Sequence, residues 1–357
     1  MDLLGRVWDT LKMYVSVERS VKLPAALQDW KVSLDAAGLV ALADLTTVQQ
    51  RTALTGTSSF LDALVLSPGL HRQHHAPELN GGEYPACAAM TTGYIFRVEN
   101  QATVAYLQKV GSTAHLTTLS VENVKDHMTG SQKVLSCFYD FRGGTSTATL
   151  AYMIAVALTV AVLVREILAQ DWWTVAVILL LVAARAINTF VLRRRAVPGW
   201  YGAPEPGVKS DLLVLLSQDR WIRIQGATDD VKAVTAGQWL GEPTFIESSL
   251  VALATLLVYL DAALAGNAGQ EGKLLLLVLL FSSVALLGLA NHFTDTFTMH
   301  GRLVKVKGEP KLYDRRLTLT KELVKEFGRT DCFVGMGMTT PEKADEIKES
   351  YDKPVVM

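Results

Sequence analysis

Three of the seven histidines in this chain lie within five residues, where their side chains could bind a transition metal. They are His71, His74 and His75, in the sequence HRQHH. Imidazole nitrogens are common ligands of iron, copper and zinc, and Glu78 or Glu83 could add a carboxylate. Two interpretations remain open: a site for a single transition metal, or a polar loop that is rich in imidazole.

The H-x-x-H-H spacing also resembles one of the histidine boxes that hold iron in membrane desaturases and hydroxylases. Those enzymes carry several boxes, because two iron ions need many nitrogen ligands and must still leave positions open for oxygen. This chain has one box, which precedes every long apolar run, and its seven histidines cannot supply the set. A di-iron desaturase is therefore rejected, and no other cofactor is expected.

Two charged residues interrupt long apolar runs. Arg185 lies in WWTVAVILLLVAARAINTFVL, and Asp261 lies in SLVALATLLVYLDAALAG. Charged groups in such positions are costly, so they indicate pairing or function. Three interpretations are open: a salt bridge between the two residues, snorkelling of each to its nearer interface, or a catalytic or substrate-binding role. Asn188 would lie on a similar helix face to Arg185, because residues three apart are neighbours.

His292 and Asp295 form a second group that could do chemistry. They are three residues apart at the end of an apolar run, which predicts a shared helix face. An imidazole beside a carboxylate suits general acid–base catalysis, although a histidine at a helix C-terminus is also favoured by the helix dipole. The candidate catalytic residues are therefore Arg185, Asp261, His292 and Asp295.

Four apolar runs would position these residues. They lie near 148–168, 172–192, 249–266 and 273–293. Each approaches the roughly 20 residues that a helix needs to cross a bilayer. Only 19% of the residues are charged, against about a quarter in soluble domains, which argues against buried helices of a large soluble protein. Very short connections predict two tight transmembrane hairpins.

The predicted fold is an integral membrane, α-helical protein with a mixed α/β cytosolic domain assembled from three segments. Residues 1–147, 193–247 and 294–357 would form that domain, and 148–192 and 248–293 would form the hairpins. Three arginines, 193–195, follow the second run directly. Because positive charge favours the cytosolic side, both termini are predicted to be cytosolic, in the endoplasmic reticulum or another endomembrane. The N-terminus, MDLLGRVWDTLKMYV, predicts a short amphipathic helix and no cleaved signal peptide.

The polar segments carry signals of strands and helices. DLLVLLSQDRWIRIQG predicts a β-hairpin around Gln218-Asp219, and GRLVKVKGEPKLYDRRLTL predicts a second hairpin with its turn at residues 308–310. Three further strands are predicted, at TTGYIFRVEN, TAHLTTLSVENV and QKVLSCFYDF. Helices are predicted at ALQDWKVSLDAAGLVALADL, DDVKAVTAGQWL and KELVKEFG. The charged tail from Thr339 is predicted to form a loose helix.

Composition and motifs exclude several functions. The net charge is −1 and no basic run exceeds three residues, so nucleic acid is not an expected partner. Cys87, Cys137 and Cys332 are too sparse for a disulfide framework and are expected to be reduced thiols. No phosphate-binding loop, dinucleotide fingerprint, zinc-protease motif or nucleophile elbow is present. The expected partners are the lipid bilayer and a lipophilic small molecule.

The segment SDLLVLLSQDRWIRIQGATDDVKAVTAGQWL, joined to four crossings, resembles multi-pass membrane proteins of filamentous fungi. Some of these are encoded near polyketide synthase genes, which implies a role in lipophilic secondary metabolism. Three functions stay open. The chain could be a membrane enzyme or accessory factor, for example for a cofactor-independent cyclisation or isomerisation. It could instead be a scaffold for soluble partner proteins, or a channel or transporter formed by a homo-oligomer.

Overall fold

The computed structural model describes residues 34, 37–125, 128–138 and 146–352. The amphipathic helix predicted at the N-terminus lies outside these residues. The α-helices are α1 (Thr47–Thr55), α2 (Gln101–Val110), α3 (Gly130–Phe138), α4 (Ser146–Ala169), α5 (Trp172–Arg195), α6 (Thr228–Thr235), α7 (Phe245–Leu264), α8 (Gln270–His292), α9 (Arg316–Phe327), α10 (Asp331–Gly335) and α11 (Pro341–Asp352). Shorter 3₁₀ helices cover Ala37–Leu42, Phe60–Leu64, Leu70–Asn80 and Ala265–Asn267. The strands are β1 (Ala86–Ala89), β2 (Ile95–Arg97), β3 (His115–Asn123), β4 (Lys209–Leu216), β5 (Arg220–Ala227), β6 (Thr296–Met299), β7 (Arg302–Val306) and β8 (Lys311–Leu312).

Helices α4, α5, α7 and α8 are long and apolar enough to cross a membrane, as the sequence predicts. Their outward faces expose large apolar side chains, among them Leu150, Leu179, Leu256 and Phe281. A soluble protein rarely leaves an apolar surface of this extent uncovered. The four helices are therefore compatible with a membrane location.

Exposed aromatic residues mark both ends of this bundle. Trp172 and Trp173 are exposed where α5 begins, and Phe245 is 86% exposed where α7 begins at the opposite end. Trp200, also 86% exposed, follows the end of α5. Tryptophan and tyrosine are enriched at both interfaces of a bilayer, and exposed aromatic residues at both ends of the bundle are compatible with that pattern.

The helices pair across the two predicted hairpins instead of within them. Helix α5 packs chiefly against α7, and α4 packs chiefly against α8, whereas α7 and α8 make few contacts with each other. The second predicted hairpin, α7–α8, is therefore wrong as a tightly packed pair. In the first, α4–α5, the two helices do contact each other, but less than each contacts its partner in the other pair. The reason is residues 37–80, here called the inner segment, whose 3₁₀ helices pack between the long helices.

The inner segment runs along the bundle. A Cβ atom on Gly38 would lie 2.6 Å from Cβ of Ala265, at the end of α7 that is far from the sheet. Nine residues later, the carbonyl of Thr47 accepts a hydrogen bond of 2.8 Å from Nδ2 of Asn291, at the sheet end of α8. Residues 38–47 therefore traverse most of the bundle. The prediction that the whole of 1–147 belongs to the polar domain is therefore wrong for the inner segment, which packs within the bundle.

A mixed sheet collects strands from all three polar segments, as predicted. Its order is β2-β1-β4-β5-β3-β7-β6, with β8 also paired to β3. One face packs against α1, α2 and α6, and the other is covered by α9, α10 and α11. The predicted turn of the β4–β5 hairpin is confirmed by positive φ angles at Gln218 and Asp219. The predicted helices at α6 and α9 are confirmed as well.

The predicted strand QKVLSCFYDF covers 132–141, but its described part, 132–138, belongs to helix α3 instead. The backbone N–H of Thr129 donates to Oε1 of Gln132 at 3.0 Å. A threonine followed three residues later by glutamine is a helix-start signal. That local bond outweighs the β propensity of the apolar residues that follow.

The second predicted hairpin, with its turn at residues 308–310, does not form. Strands β7 and β8 both pair with β3, so the chain continues along the same edge after the break. Pro310 has no backbone N–H to donate to a ladder, which fits an interruption. The actual hairpin is β6–β7, whose turn residues His300 and Gly301 both have positive φ.

Candidate functional site

A buried carboxylate, Asp62, is the centre of a polar cluster inside the bundle. It is 4% exposed and belongs to the inner segment. Its Oδ1 accepts a hydrogen bond of 2.7 Å from the hydroxyl of Tyr152 on α4. Its Oδ2 accepts bonds of 2.7 Å from the hydroxyl of Ser58 and from the backbone N–H of Ser59. Three donors, two from the inner segment and one from α4, are thus held by one side chain.

Two arginines supply the charge that balances Asp62. Nε of Arg185, 1% exposed on α5, donates to the carbonyl of Asp62 at 3.1 Å. The guanidinium of Arg51 on α1 lies 5.1 Å above the ring of Tyr152. Burial by itself would raise the pKa of Asp62, but the charges of Arg185 and Arg51 and the bonds from Tyr152 and Ser58 hold that pKa below its ordinary value. The carboxylate is therefore ionised at neutral pH.

Amide and hydroxyl groups extend the cluster across the bundle. Nε2 of Gln73 donates to Oγ of Ser58 at 3.2 Å and to Oγ1 of Thr52 at 3.0 Å. Thr189 on α5 has its hydroxyl 3.3 Å from that of Ser58. Nδ2 of Asn188 donates to the carbonyl of Leu70 at 3.0 Å. These bonds fix the inner segment to the long helices.

The predicted salt bridge between Arg185 and Asp261 is absent. Arg185 interacts with Asp62 instead, because the inner segment lies against α5 at that depth. Asp261 is fully buried on α7, and neither of its carboxylate oxygens has a hydrogen-bond partner among the described residues. Snorkelling is also wrong for both side chains, since neither reaches the surface.

His292 and Asp295 do not form the predicted pair. Helix α8 ends at His292, so Asp295 lies beyond the helix and the three-residue spacing no longer puts them on one face. The ring of His292 packs edge-on against Phe293, with centroids 5.1 Å apart. The carbonyl of Asp295 accepts a hydrogen bond of 2.8 Å from the hydroxyl of Tyr106 on α2. Both predicted residues are exposed at the sheet end of the bundle.

A cavity of about 470 Å³ lies beside His292, between α1, α2 and the end of α8. Its wall includes the apolar side chains of Leu54 and Ala105 together with the amine of Lys109. That amine donates to the carbonyls of Asn291 and Thr294 at 2.8 and 2.6 Å, and burial lowers its pKa despite the nearby charge of Asp295. The cavity therefore combines an apolar wall with a polar rim that could hold a small amphipathic molecule.

The three clustered histidines do not converge. His71 lies beside Tyr259, with ring centroids 6.1 Å apart, and Nδ1 of His75 lies 2.6 Å from Oε1 of Glu78. Glu83 instead accepts bonds from Ser217 and Gln108 at the β4–β5 turn. Within the described ranges, no group of three histidine, cysteine, aspartate or glutamate side chains has the geometry to hold a metal ion. The rings of His74 and His75 lie against each other, with centroids 4.3 Å apart, whereas His71 packs beside Tyr259 on α7.

The lowered pKa of His74 leads us to expect that the protein loses stability in mild acid. Burial, with a further contribution from the charges of His75 and Arg195, lowers its pKa from 6.5 to about 4. The unfolded chain therefore takes up a proton on this side chain at a higher pH than the folded chain. We expect the free energy of unfolding to fall as the pH falls from 6.5 towards 4, and the fall to be smaller in His74→Asn. Denaturant titrations at several pH values measure the free energy of unfolding, and His115→Asn, on the sheet domain, is the control. The same dependence of this free energy on pH in His74→Asn and in the parent would contradict the prediction.

Sequence reasoning missed Asp62, Tyr152 and Arg51, although two signals were present. Ser59 is followed three residues later by Asp62, a helix-start pattern whose carboxylate accepts the Ser59 N–H. Tyr152 lies within the first apolar run, where a hydroxyl needs a buried partner. Comparisons with protein-family models, with curated proteins and with solved structures found no match.

Proposed function

We propose that this chain is an integral membrane protein that binds a lipophilic small molecule at the membrane interface, as an enzyme or accessory factor. The exposed apolar faces and the two aromatic rims support insertion in a bilayer. Arg193, Arg194 and Arg195 end helix α5 beside the sheet domain. By the positive-inside rule the sheet domain then lies on the cytosolic side of the membrane. The membrane itself would be that of the endoplasmic reticulum or another endomembrane.

The observation that carries this proposal is the cavity between α1, α2 and α8. It adjoins Gly288, where an added Cβ would meet no atom within 4 Å, so an opening lies along α8. Leu289 and Phe293, next to this opening, are exposed apolar residues. A molecule dissolved in the bilayer could enter the cavity sideways and place its polar group near Lys109 and His292. Pockets of this size, mostly apolar with a few polar groups, are typical of small-molecule sites.

His292 is the group best placed for proton transfer in this cavity. Its imidazole lines the wall, and histidine is the side chain used most often for general acid–base catalysis. A cyclisation or isomerisation needs only a positioned substrate and an acid–base group, and so needs no cofactor. The resemblance to fungal membrane proteins implies the same class of substrate, a lipophilic secondary metabolite.

Filling the cavity at Gly288 tests the proposal. We expect Gly288→Phe to fold and to occupy the opening, because the space beside this position is empty. The detergent-purified protein would be irradiated with a long-chain alcohol that carries a diazirine, and cross-links on helix α2 would be measured by peptide mass spectrometry. Helix α2 lies outside the four membrane-length helices, so its labelling reports the cavity.

The expected result is a reduction of about tenfold or more in α2 labelling for Gly288→Phe, with little change in Gly288→Ala, which leaves the opening free. Equal labelling of α2 in both variants would contradict a lipophilic site here. Conversion of a candidate precursor by the parent protein, and its loss in His292→Ala, would then separate an enzyme from an accessory binding protein.

A scaffold for soluble proteins is the second candidate, supported by a groove of about 570 Å³ on the sheet domain. The rings of Tyr94 and Phe96 stack there at 5.9 Å, and Trp200 and Tyr201 line the same groove. Exposed aromatic side chains are enriched at protein interfaces. A partner that co-purifies with the parent protein and is lost in Tyr94→Ala would favour this function. A channel is less well supported, because the inner segment fills the centre of the bundle.

A further inference from the structure

A second cavity, of about 460 Å³, lies on the other side of helix α1 and is lined by basic residues. Arg51 and Arg193 contribute guanidinium groups, and Lys125 and His300 contribute an amine and an imidazole. None of the described lining residues is acidic. Among the described residues, Asp62 is the carboxylate that interacts with Arg51, and its single negative charge is smaller than the summed positive charge of Arg51, Arg193 and Lys125.

The local backbone is built to form this cavity. Residues 55–59, TGTSS, line one side of the cavity, and the carbonyl of Gly56 in this loop accepts a hydrogen bond of 2.8 Å from Nε1 of Trp239. Gly56 has φ +66°, and a Cβ there would collide with the backbone of Thr298. This is a conformation that glycine adopts without strain. The loop is thus fixed by its contacts with the sheet domain.

The opposite side is formed by the β6–β7 turn. His300 and Gly301 both have positive φ, which projects the turn towards Lys125. A Cβ on Gly301 would lie 2.6 Å from Cβ of Lys125, so the lysine stem rests on this glycine. Nη1 of Arg193 donates to the carbonyls of Ser58 and Cys137 at 2.9 and 3.2 Å, which orients its guanidinium at the cavity. The cations are therefore positioned by the fold.

We propose that this cavity binds the phosphate group of an anionic ligand at the membrane interface. Guanidinium groups bind phosphate oxygens through paired hydrogen bonds, and lysine adds a point charge. Several cations around one space suit a group with three exposed oxygens and up to two negative charges better than a singly charged carboxylate. The phosphate could belong to a phospholipid head group or to a soluble phosphate. The proposal does not depend on the lipophilic cavity, which is formed by a different face of α1.

The test measures binding to the purified full-length chain in a non-ionic detergent by native mass spectrometry. The probes are dihexanoyl phosphatidic acid, dihexanoyl phosphatidylcholine and inorganic phosphate. We expect phosphatidic acid to bind at least tenfold more tightly than phosphatidylcholine, whose phosphate carries less charge and is shielded by choline. If inorganic phosphate competes with phosphatidic acid, the phosphate group alone is sufficient for binding, and a soluble phosphate could be the ligand. Binding of phosphatidic acid without such competition would identify the lipid head group. Equal binding of the two lipids, or none of any probe, would overturn the proposal.

Variants locate the site. Lys125 is exposed, so Lys125→Ala should fold, and we expect it to weaken binding about fivefold, the effect of one lysine near an anionic surface. Lys343→Ala is the matched control, because Lys343 is an exposed lysine on α11, which covers the other face of the sheet. Arg193→Gln should weaken binding further, and Arg193→Lys should restore part of it. Equal binding in Lys125→Ala and Lys343→Ala would overturn the assignment.

Discussion

Replacing Asp62 with asparagine is expected to lower the free energy of unfolding by about 3–5 kcal/mol, the usual effect of breaking a buried ion pair. The substitution leaves the charges of Arg185 and Arg51 without their counter-charge inside the bundle. It also replaces one of the two oxygens that accept bonds from Tyr152 and Ser58 with an amide donor. Denaturant titration in a mild detergent, followed by tryptophan fluorescence, measures the change.

Asp261→Asn is the matched control for this experiment. Asp261 is as deeply buried as Asp62, but its oxygens have no hydrogen-bond partner among the described residues. An unsatisfied polar group costs free energy, so its change to a neutral amide should alter the free energy of unfolding by about 1 kcal/mol or less, or raise it. A similar loss in both variants would show that burial alone, and not the arginines, sets the effect at Asp62.

Replacing Gly38 with valine should lower the free energy of unfolding by about 3 kcal/mol, at the upper end of what overpacking costs. A Cβ at this position would lie 2.6 Å from Cβ of Ala265 and 2.9 Å from the backbone of Ala262. The backbone of α7 cannot move aside without disturbing its packing against α5. The inner segment would therefore have to leave its place. Unfolding in detergent and protease sensitivity of residues 37–80 both report this change.

Gly288→Ala provides the comparison for Gly38→Val. Gly288 lies within the long helix α8, but an added Cβ there meets no atom within 4 Å. Alanine is favoured over glycine in a helix by about 1 kcal/mol, so this variant should be at least as stable as the parent. If Gly38→Val kept the stability of the parent, residues 37–42 would not pack against α7 as described.

The four long helices could be predicted because uninterrupted apolar runs leave few alternatives. The β4–β5 hairpin and β3 were also predicted, since β-branched and aromatic residues alternate around a clear turn at Gln218 and Asp219. Helix α3 was missed because its start depends on a single pair, Thr129 and Gln132, within a stretch of apolar residues. The break before β8 was missed for a similar reason: glycine and proline mark an interruption, but they do not tell whether the chain reverses.

The candidate site was harder to predict, because its partners are far apart in the chain. Arg185 was correctly singled out as a costly charge, yet its partner was sought on another apolar run. The actual partner, Asp62, lies in the short stretch FLDALVL, outside the four long apolar runs. Only the packing of the inner segment against α5 brings these residues together. Spacing along a helix likewise predicted a pair at His292 and Asp295, which fails because α8 ends at His292, three residues before Asp295.

The position of the inner segment has a consequence for biosynthesis. Residues 37–80 leave the ribosome before any of the four long helices, but their packing surfaces on α7 and α8 are completed only when residue 292 has been synthesised. If the long helices enter a membrane one by one as they are synthesised, this segment is made before the surfaces that it packs against exist. It would then have to be kept from aggregating until α8 has been synthesised.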